Sequence, residues 1–293
     1  MNHLNFYQET NNLNLNKMLI PLGVGIVGSI ILGFLYASLV YFIPFPHITF
    51  FVAIGLAMAI GLSARLLIRI FRITGKKNRI LLVCIVVIFT YYFHWVAYLL
   101  LFFKEGGITL SGYLAHLSWI LLPDFSFFSS INQLASDGAW SMFGILFAGI
   151  ILVIVWMLEL AIIFALAIRT GKNYSLIPFS AKFNSWYPKF TLSEQFEHIA
   201  SVKYVEKQIQ DANIIGFISN LNLGQGFAYT RIHIYFNKKE QHQYLTLEKV
   251  NIERRGKGKI NVSPILQHLR ISTLEAETIL QNYIHSIERF DLF

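Results

Sequence analysis

Long apolar runs separated by short polar connections fill the chain up to Ile168, and beyond it the pattern becomes that of mixed, charged sequence. The clearest run, Ser141 to Ile168, holds no ionisable residue except Glu159. As a helix rising about 1.5 Å per residue it would reach ~42 Å, more than the ~30 Å of a bilayer's hydrocarbon core. Three earlier runs, at about 18–42, 47–70 and 79–103, have the same character. The pattern therefore predicts four transmembrane helices, with residues 1–17 as a polar, retained and loosely ordered leader.

Small residues recur inside the first two runs. Gly25, Ser29, Gly33 and Ala37 follow one another every fourth residue in the first, as do Ala53, Ala57 and Gly61 in the second. Such lines let another backbone approach closely, so spans one and two are expected to pack as an antiparallel pair through these faces. The break between them is IPFPH, where Pro44 and Pro46 each fix φ and remove a backbone donor. Residues 108–135 are too apolar for a free loop and too short in each piece to span, which predicts interfacial or re-entrant helices.

After Ile168 the sequence reads as a membrane-proximal linker over 169–191 and a small α+β domain over 192–293. A helical pattern from Leu192 to about Asn220, interrupted near Gly216, leads to Ile232, Ile234 and Phe236 alternating with Arg231, His233 and Tyr235. Strands over Tyr244–Ile252 and Lys259–Val262 and a closing helix over Thr273–Glu288 complete the expected order of helix, three strands, helix. The fold class is a polytopic α-helical membrane domain followed by a small cytoplasmic α+β domain.

Charge orients this layout. Arg65, Arg69, Arg72, Lys76, Lys77 and Arg79 follow one another without an acidic residue between them, so the connection between spans two and three is expected in the cytoplasm, and with it both ends of the chain. Composition agrees with the membrane class: 55% hydrophobic and only 14% charged residues, against about 25% charged in soluble domains. The net charge of +8 does not demand nucleic acid. Beside a bilayer, Arg69, Arg72, Lys76, Lys77, Arg254, Arg255, Lys257 and Lys259 are better read as headgroup-facing, which makes membrane lipids the expected partner. The single cysteine, Cys84, excludes disulfides within the chain.

Three polar residues inside the runs are the candidate chemistry. An ionised, unpaired Glu159 in hydrocarbon would cost several kcal/mol. The nearest counter-charge by depth is Arg65 on span two, which favours a Glu159–Arg65 pair fixing helix register over a proton or cation site. His94, in YYFHW, has no His, Cys, Asp or Glu at i+3 or i+4. No P-loop, GxGxxG, GxSxG or HExxH stands in the sequence. Neither an enzyme, a cofactor nor a metal is therefore expected.

Four stretches, YFIPFPHITF, LASDGAWSMFG, VWMLELAII and IPFSAKFNSWY, resemble a family of bacterial multi-pass inner-membrane proteins of unknown function. The resemblance covers most of the chain and implies the same four-helix layout, with no activity attached. Relatives carry a Cys-x-x-Cys pair after the last span where Ser180 and Phe183 stand here, so a metal-binding knuckle implied by the family would be absent from this member. The leading expectation is a non-enzymatic binding, scaffold or sensing protein of the bacterial inner membrane, with a protein partner for its cytoplasmic domain or a second copy of itself. The alternative is a small oligomeric transporter or channel component using Glu159, Arg65 and His94.

Overall fold

The computed structural model describes residues 4–9, 15–43, 45–103, 109, 111, 125–138, 140–142, 145–172, 177–199, 201–224, 226–252 and 260–288. The chain divides into two compact units: Asn11–Ser175, and Met1–Thr10 together with Leu176–Phe293.

The first unit is helical. It contains α1 (Leu15–Phe42), α2 (Pro46–Ile70), α3 (Lys76–Phe103), a shorter amphipathic α4 (Phe125–Asp137), a two-stranded hairpin of β1 (Trp140–Met142) and β2 (Ile145–Phe147), and α5 (Gly149–Lys172). α1, α2, α3 and α5 are long and apolar enough to cross a membrane, with mean hydropathies of 2.2 to 2.9 over their most apolar stretches. Pro46 opens α2 in its first turn, where its missing N–H costs nothing. α2 ends with Arg72 at φ 54°, and Ile73 N–H donates to the Ile68 carbonyl at 3.0 Å, a Schellman closure built without glycine.

The expected fourth helix begins later than its apolar run. Trp140–Met142 and Ile145–Phe147 pair as β1 and β2, with Trp140 opposite Phe147, and Gly149 at φ +63° opens α5. Hydropathy reports which solvent a segment tolerates and leaves its backbone conformation open. A left-handed glycine ends any helix running in from its N-terminal side.

The small-residue lines are used, though with different partners from those expected. α1 packs most extensively on α3, and α2 on α5. A Cβ built on Gly33 would lie 2.8 Å from the His94 backbone nitrogen, and one on Gly61 would lie 2.5 Å from Thr170 Cβ. The Ser29 hydroxyl donates to the Val86 carbonyl of α3 at 3.2 Å. α3, the most buried of the four, receives the small face of α1, and the small face of α2 receives Thr170 and Ala167 of α5. These seams are therefore spent inside one chain.

The same pairs set direction. Gly25 and Gly33 meet Val86 and Phe93–His94 in the same order, so α1 and α3 run parallel. Gly171 meets Val83 while the Tyr91 hydroxyl reaches the Trp156 carbonyl, so α5 runs against α3 and alongside α2. α4 packs on this group, with Phe127 buried against Tyr92 at 5.4 Å between ring centroids.

The second unit is strand-rich. A five-stranded antiparallel sheet has the order β8-β7-β6-β5-β9, from β5 (Lys189–Leu192), β6 (Ala228–Tyr235), β7 (His242–Ile252), β8 (Ile260–Ser272) and β9 (His285–Glu288). β3 (Phe179–Ser180) and β4 (Ser185–Trp186) form a separate hairpin, and α6 (Val202–Ser219) and α7 (Thr273–Asn282) complete the unit. Val205, Phe217 and Ile218 of α6 and Ala276 and Ile279 of α7 bury one sheet face with Ile232, Ile234, Leu245 and Leu247. Alternation along β6 and β7 puts these residues on one side. Ser201 caps α6, and a capping box of Ser272 and Glu275 starts α7.

Four readings change here. β5 comes from the stretch read as linker, and β9 replaces the end of the expected last helix, because four-residue strands carry too little alternation to read. The break in α6 falls at Asn213 (φ 59°) rather than Gly216, whose N–H donates to the Asn213 side-chain oxygen at 2.9 Å. The leader is ordered over residues 4–9. Phe6 bridges Leu269, Tyr7 N–H donates to the His268 carbonyl at 2.9 Å, and Arg270 N–H donates to the Asn5 carbonyl at 2.8 Å, lengthening the sheet beyond β8.

Candidate functional site

The polar residues of the helical unit converge where α1, α3 and α5 meet. Tyr36 follows Gly33 by three residues on the buried stripe of α1, and its hydroxyl donates to Glu159 Oε1 of α5. Its ring lies against the His94 ring of α3, with centroids 4.7 Å apart. Tyr91 stands 5.7 Å from His94 on the same scale, and its hydroxyl donates to the Trp156 carbonyl at 3.1 Å. Tyr98 flanks His94 at 5.9 Å, and Trp95 meets Trp156 at 4.6 Å. Glu159 itself sits near the middle of α5, between Trp156 and the fully buried Ile163.

Two atoms of this region lack a hydrogen-bond partner among the described residues, His94 Nδ1 and Thr90 Oγ1. They are four residues apart on α3 and so share one helix face. A buried polar atom left unpaired costs about 1–3 kcal/mol, and native folds keep few of them.

Arg65 is not the partner of Glu159. Gly61 meets Thr170, and because α2 and α5 run alongside each other, Arg65 lies about one turn beyond that level. Glu159 precedes Thr170 by eleven residues, so the two side chains start roughly 22 Å apart along the bundle at 1.5 Å per residue. The expectation of a register-fixing pair came from counting depth from the cytoplasmic ends of the runs, but α5 continues to Lys172 and sets Thr170 level with Gly61, which carries Glu159 further from Arg65. Tyr36 and Tyr91 were not among the sequence candidates. A readable signal existed for Tyr36: it is a hydroxyl-bearing residue next to Ala37 on the small-residue line.

Of the basic residues, Lys76 and Lys77 are exposed at the start of α3, and Arg69 and Arg72 are partly exposed at the end of α2. Arg254, Arg255, Lys257 and Lys259 lie outside the described residues. Ser180 and Phe183 close a tight turn in which Phe183 N–H donates to Ser180 Oγ at 3.0 Å, and the Ser180 hydroxyl donates to Glu240. No group of three or more His, Cys, Asp or Glu side chains able to hold a metal occurs among the described residues.

A second polar chain crosses three strands of the sheet. Thr191 Oγ1 and His233 Nδ1 are 2.9 Å apart, and His233 Nε2 and Glu248 Oε2 are also 2.9 Å apart. A neutral His233 with its proton on Nε2 satisfies both, donating to the carboxylate and accepting from the threonine hydroxyl. Burial pushes His233 below its ordinary value despite Glu248, and the His233 hydrogen bond holds Glu248 below the usual carboxylate range. Both shifts have one sign: the unfolded chain binds protons that the folded unit refuses. Stability is fully present above about pH 6.5 and is lost on acidification, first through His233 and then, below about pH 4.3, through Glu248. Melting of the purified protein across this range should show the loss beginning near pH 6.5 in wild type and a smaller loss over that window in His233→Gln, where His242, also held below its ordinary value by burial, still contributes.

No family model matches the chain, and neither curated proteins nor solved structures give a match to it.

Proposed function

We infer that this is a multi-pass protein of the bacterial inner membrane, with residues 4–9 and the strand-rich unit in the cytoplasm, and that it senses and binds rather than converts. Four apolar helices support the membrane reading. Because residues 4–9 pair with β8, the segment before α1 and the region after α5 share one side of the bilayer, as an even number of crossings requires. Arg69, Arg72, Lys76 and Lys77 assign that side to the cytoplasm and meet anionic headgroups there.

One observation carries the functional part. Glu159, the sole carboxylate in α1, α2, α3 and α5, is met by a tyrosine hydroxyl, beside a histidine whose Nδ1 has no hydrogen-bond partner among the described residues, rather than by a cation. A residue kept only to fix register would be neutralised; this arrangement leaves the group able to respond. The strand-rich unit is then the part that meets a protein partner.

Two measurements test this. In a Cys84→Ser background, single cysteines at positions 76 and 293 should react with a membrane-impermeant thiol reagent only after cells are opened. Labelling of either in intact cells overturns the orientation. In inside-out vesicles, trypsin should cleave the strand-rich unit of Glu159→Gln at a rate several-fold different from wild type while the bundle melts as before. Identical cleavage kinetics would end the sensing reading.

A further inference from the structure

The polar cluster of the bundle is closely packed. A Cβ on Gly33 would already collide with the backbone of Phe93 and His94, and Tyr36 and Phe93 are almost fully buried. The rings of Tyr36 and His94 are in contact, so no organic amine or hydrated metal ion enters between them without moving a helix. A proton requires no space.

The charges around the cluster point the same way. α1 contributes Tyr36; α3 contributes Tyr91, His94 and Tyr98; α5 contributes Glu159; α4 brings Phe127; and the buried face of α2 offers Ala53, Leu56 and Ala57. None of these side chains is a permanent cation. An ionised Glu159 at this depth is thus stabilised by one phenolic hydroxyl, against a desolvation cost of several kcal/mol. His94 Nδ1 and Thr90 Oγ1, on the neighbouring face of α3, meanwhile have no hydrogen-bond partner among the described residues.

We propose that Tyr36, His94 and Glu159 form an intramembrane proton-binding site. One proton from water adds to the Glu159 carboxylate, the site's charge rises by one, and no bond other than the new O–H forms. With the proton absent, the Tyr36 hydroxyl donates to the carboxylate, as in the structure. With it present, the carboxylic acid donates to Tyr36 Oη, and the freed phenolic hydrogen turns away toward the His94 face. Tyr36 is the positioning residue that couples the carboxyl group to α1, and Glu159 is the group that holds the proton. The proposal names the ligand of the site on which the sensing reading rests.

Infrared difference spectra of the full-length protein in lipid nanodiscs, recorded over its stable pH range, test it. Wild type should show one carboxyl band of the dry-site type that appears and disappears with pH. That band should be missing in Glu159→Gln and displaced in Tyr36→Phe, a variant that keeps both the carboxylate and the packing. A band that persists in Glu159→Gln, or a wild-type band constant at every pH, or no such band at any pH, overturns the proposal. If Glu159→Gln does not fold, a band in Tyr36→Phe unmoved from wild type overturns it alone. A titrating band combined with unaltered trypsin cleavage would leave the proton site standing and remove the sensing reading, so the two fail separately.

Discussion

Replacing Gly33 by alanine is expected to lower the stability of the helical unit by about 1–3 kcal/mol, the range for an overpacked interior, and replacing it by leucine to prevent assembly. The added Cβ would lie 2.8 Å from both His94 N and Phe93 Cβ and 2.9 Å from Phe93 C, and two of these are backbone atoms that cannot rotate aside. Relief requires α1 to move off α3, its most extensive neighbour, and Tyr36 lies less than one turn further along the displaced helix. The contact with Glu159 is lost in the same movement. The other glycines of α1 calibrate the effect. A Cβ at Gly25 meets side-chain methyls of Val86 at 2.9 Å and Leu67 at 3.5 Å and no backbone atom, so alanine there should cost less. Gly28 has nothing within 4 Å, and alanine there should be neutral or stabilising by up to about 1 kcal/mol through helix propensity. Thermal unfolding in detergent should therefore rank Gly28→Ala above Gly25→Ala above Gly33→Ala. Any other order would contradict the α1–α3 seam.

That ranking bears on what could be read without coordinates. The line of small residues from Gly25 to Ala37 announces a close helix contact, because only missing side chains let backbones approach. It says nothing of the partner, since any helix surface can enter a groove. α3, rich in Val, Leu and Phe, filled it, and Thr170 and Ala167 of α5 filled the groove of α2. Glu159 stood out in the sequence because a carboxylate inside a long apolar run is conspicuous. Its partner did not, because depth was counted from the end of the apolar run at Ile168, whereas α5 continues to Lys172 and sets Thr170 level with Gly61. In the strand-rich unit, β6 and β7 showed clear alternation, but β5 and β9 are four residues each and the leader meets β8 through a bridge at Phe6. Segments so short take their conformation from the edge they dock on, which no local pattern encodes.

The leader strand leads to the second large expected effect. Removing residues 4–9 should destabilise the strand-rich unit and make it prone to association, although these residues look expendable in sequence. Arg270 N–H and the His268 carbonyl lose their partners on Asn5 and Tyr7, and β8 becomes an open edge. Tyr7 contributes more than its backbone: its ring packs edge-on against Tyr244 at 5.2 Å and His268 at 6.0 Å, and its Oη accepts the Phe179 N–H at 3.2 Å. Leu4 packs against the core of the unit. Tyr7→Ala should therefore cost about 2–4 kcal/mol, near the lower end for losing a packed aromatic because the ring is only partly buried. Tyr7→Phe should cost about 1 kcal/mol, the value of one hydrogen bond. Hydrogen exchange of the full-length protein provides the readout: the Arg270 amide should lose protection on removal of residues 4–9, while amides of β6 at the sheet centre slow or speed only with global stability. Unchanged exchange at Arg270 would show that the leader is not part of the sheet, leaving only the flanking charges to set both segments on one side of the bilayer.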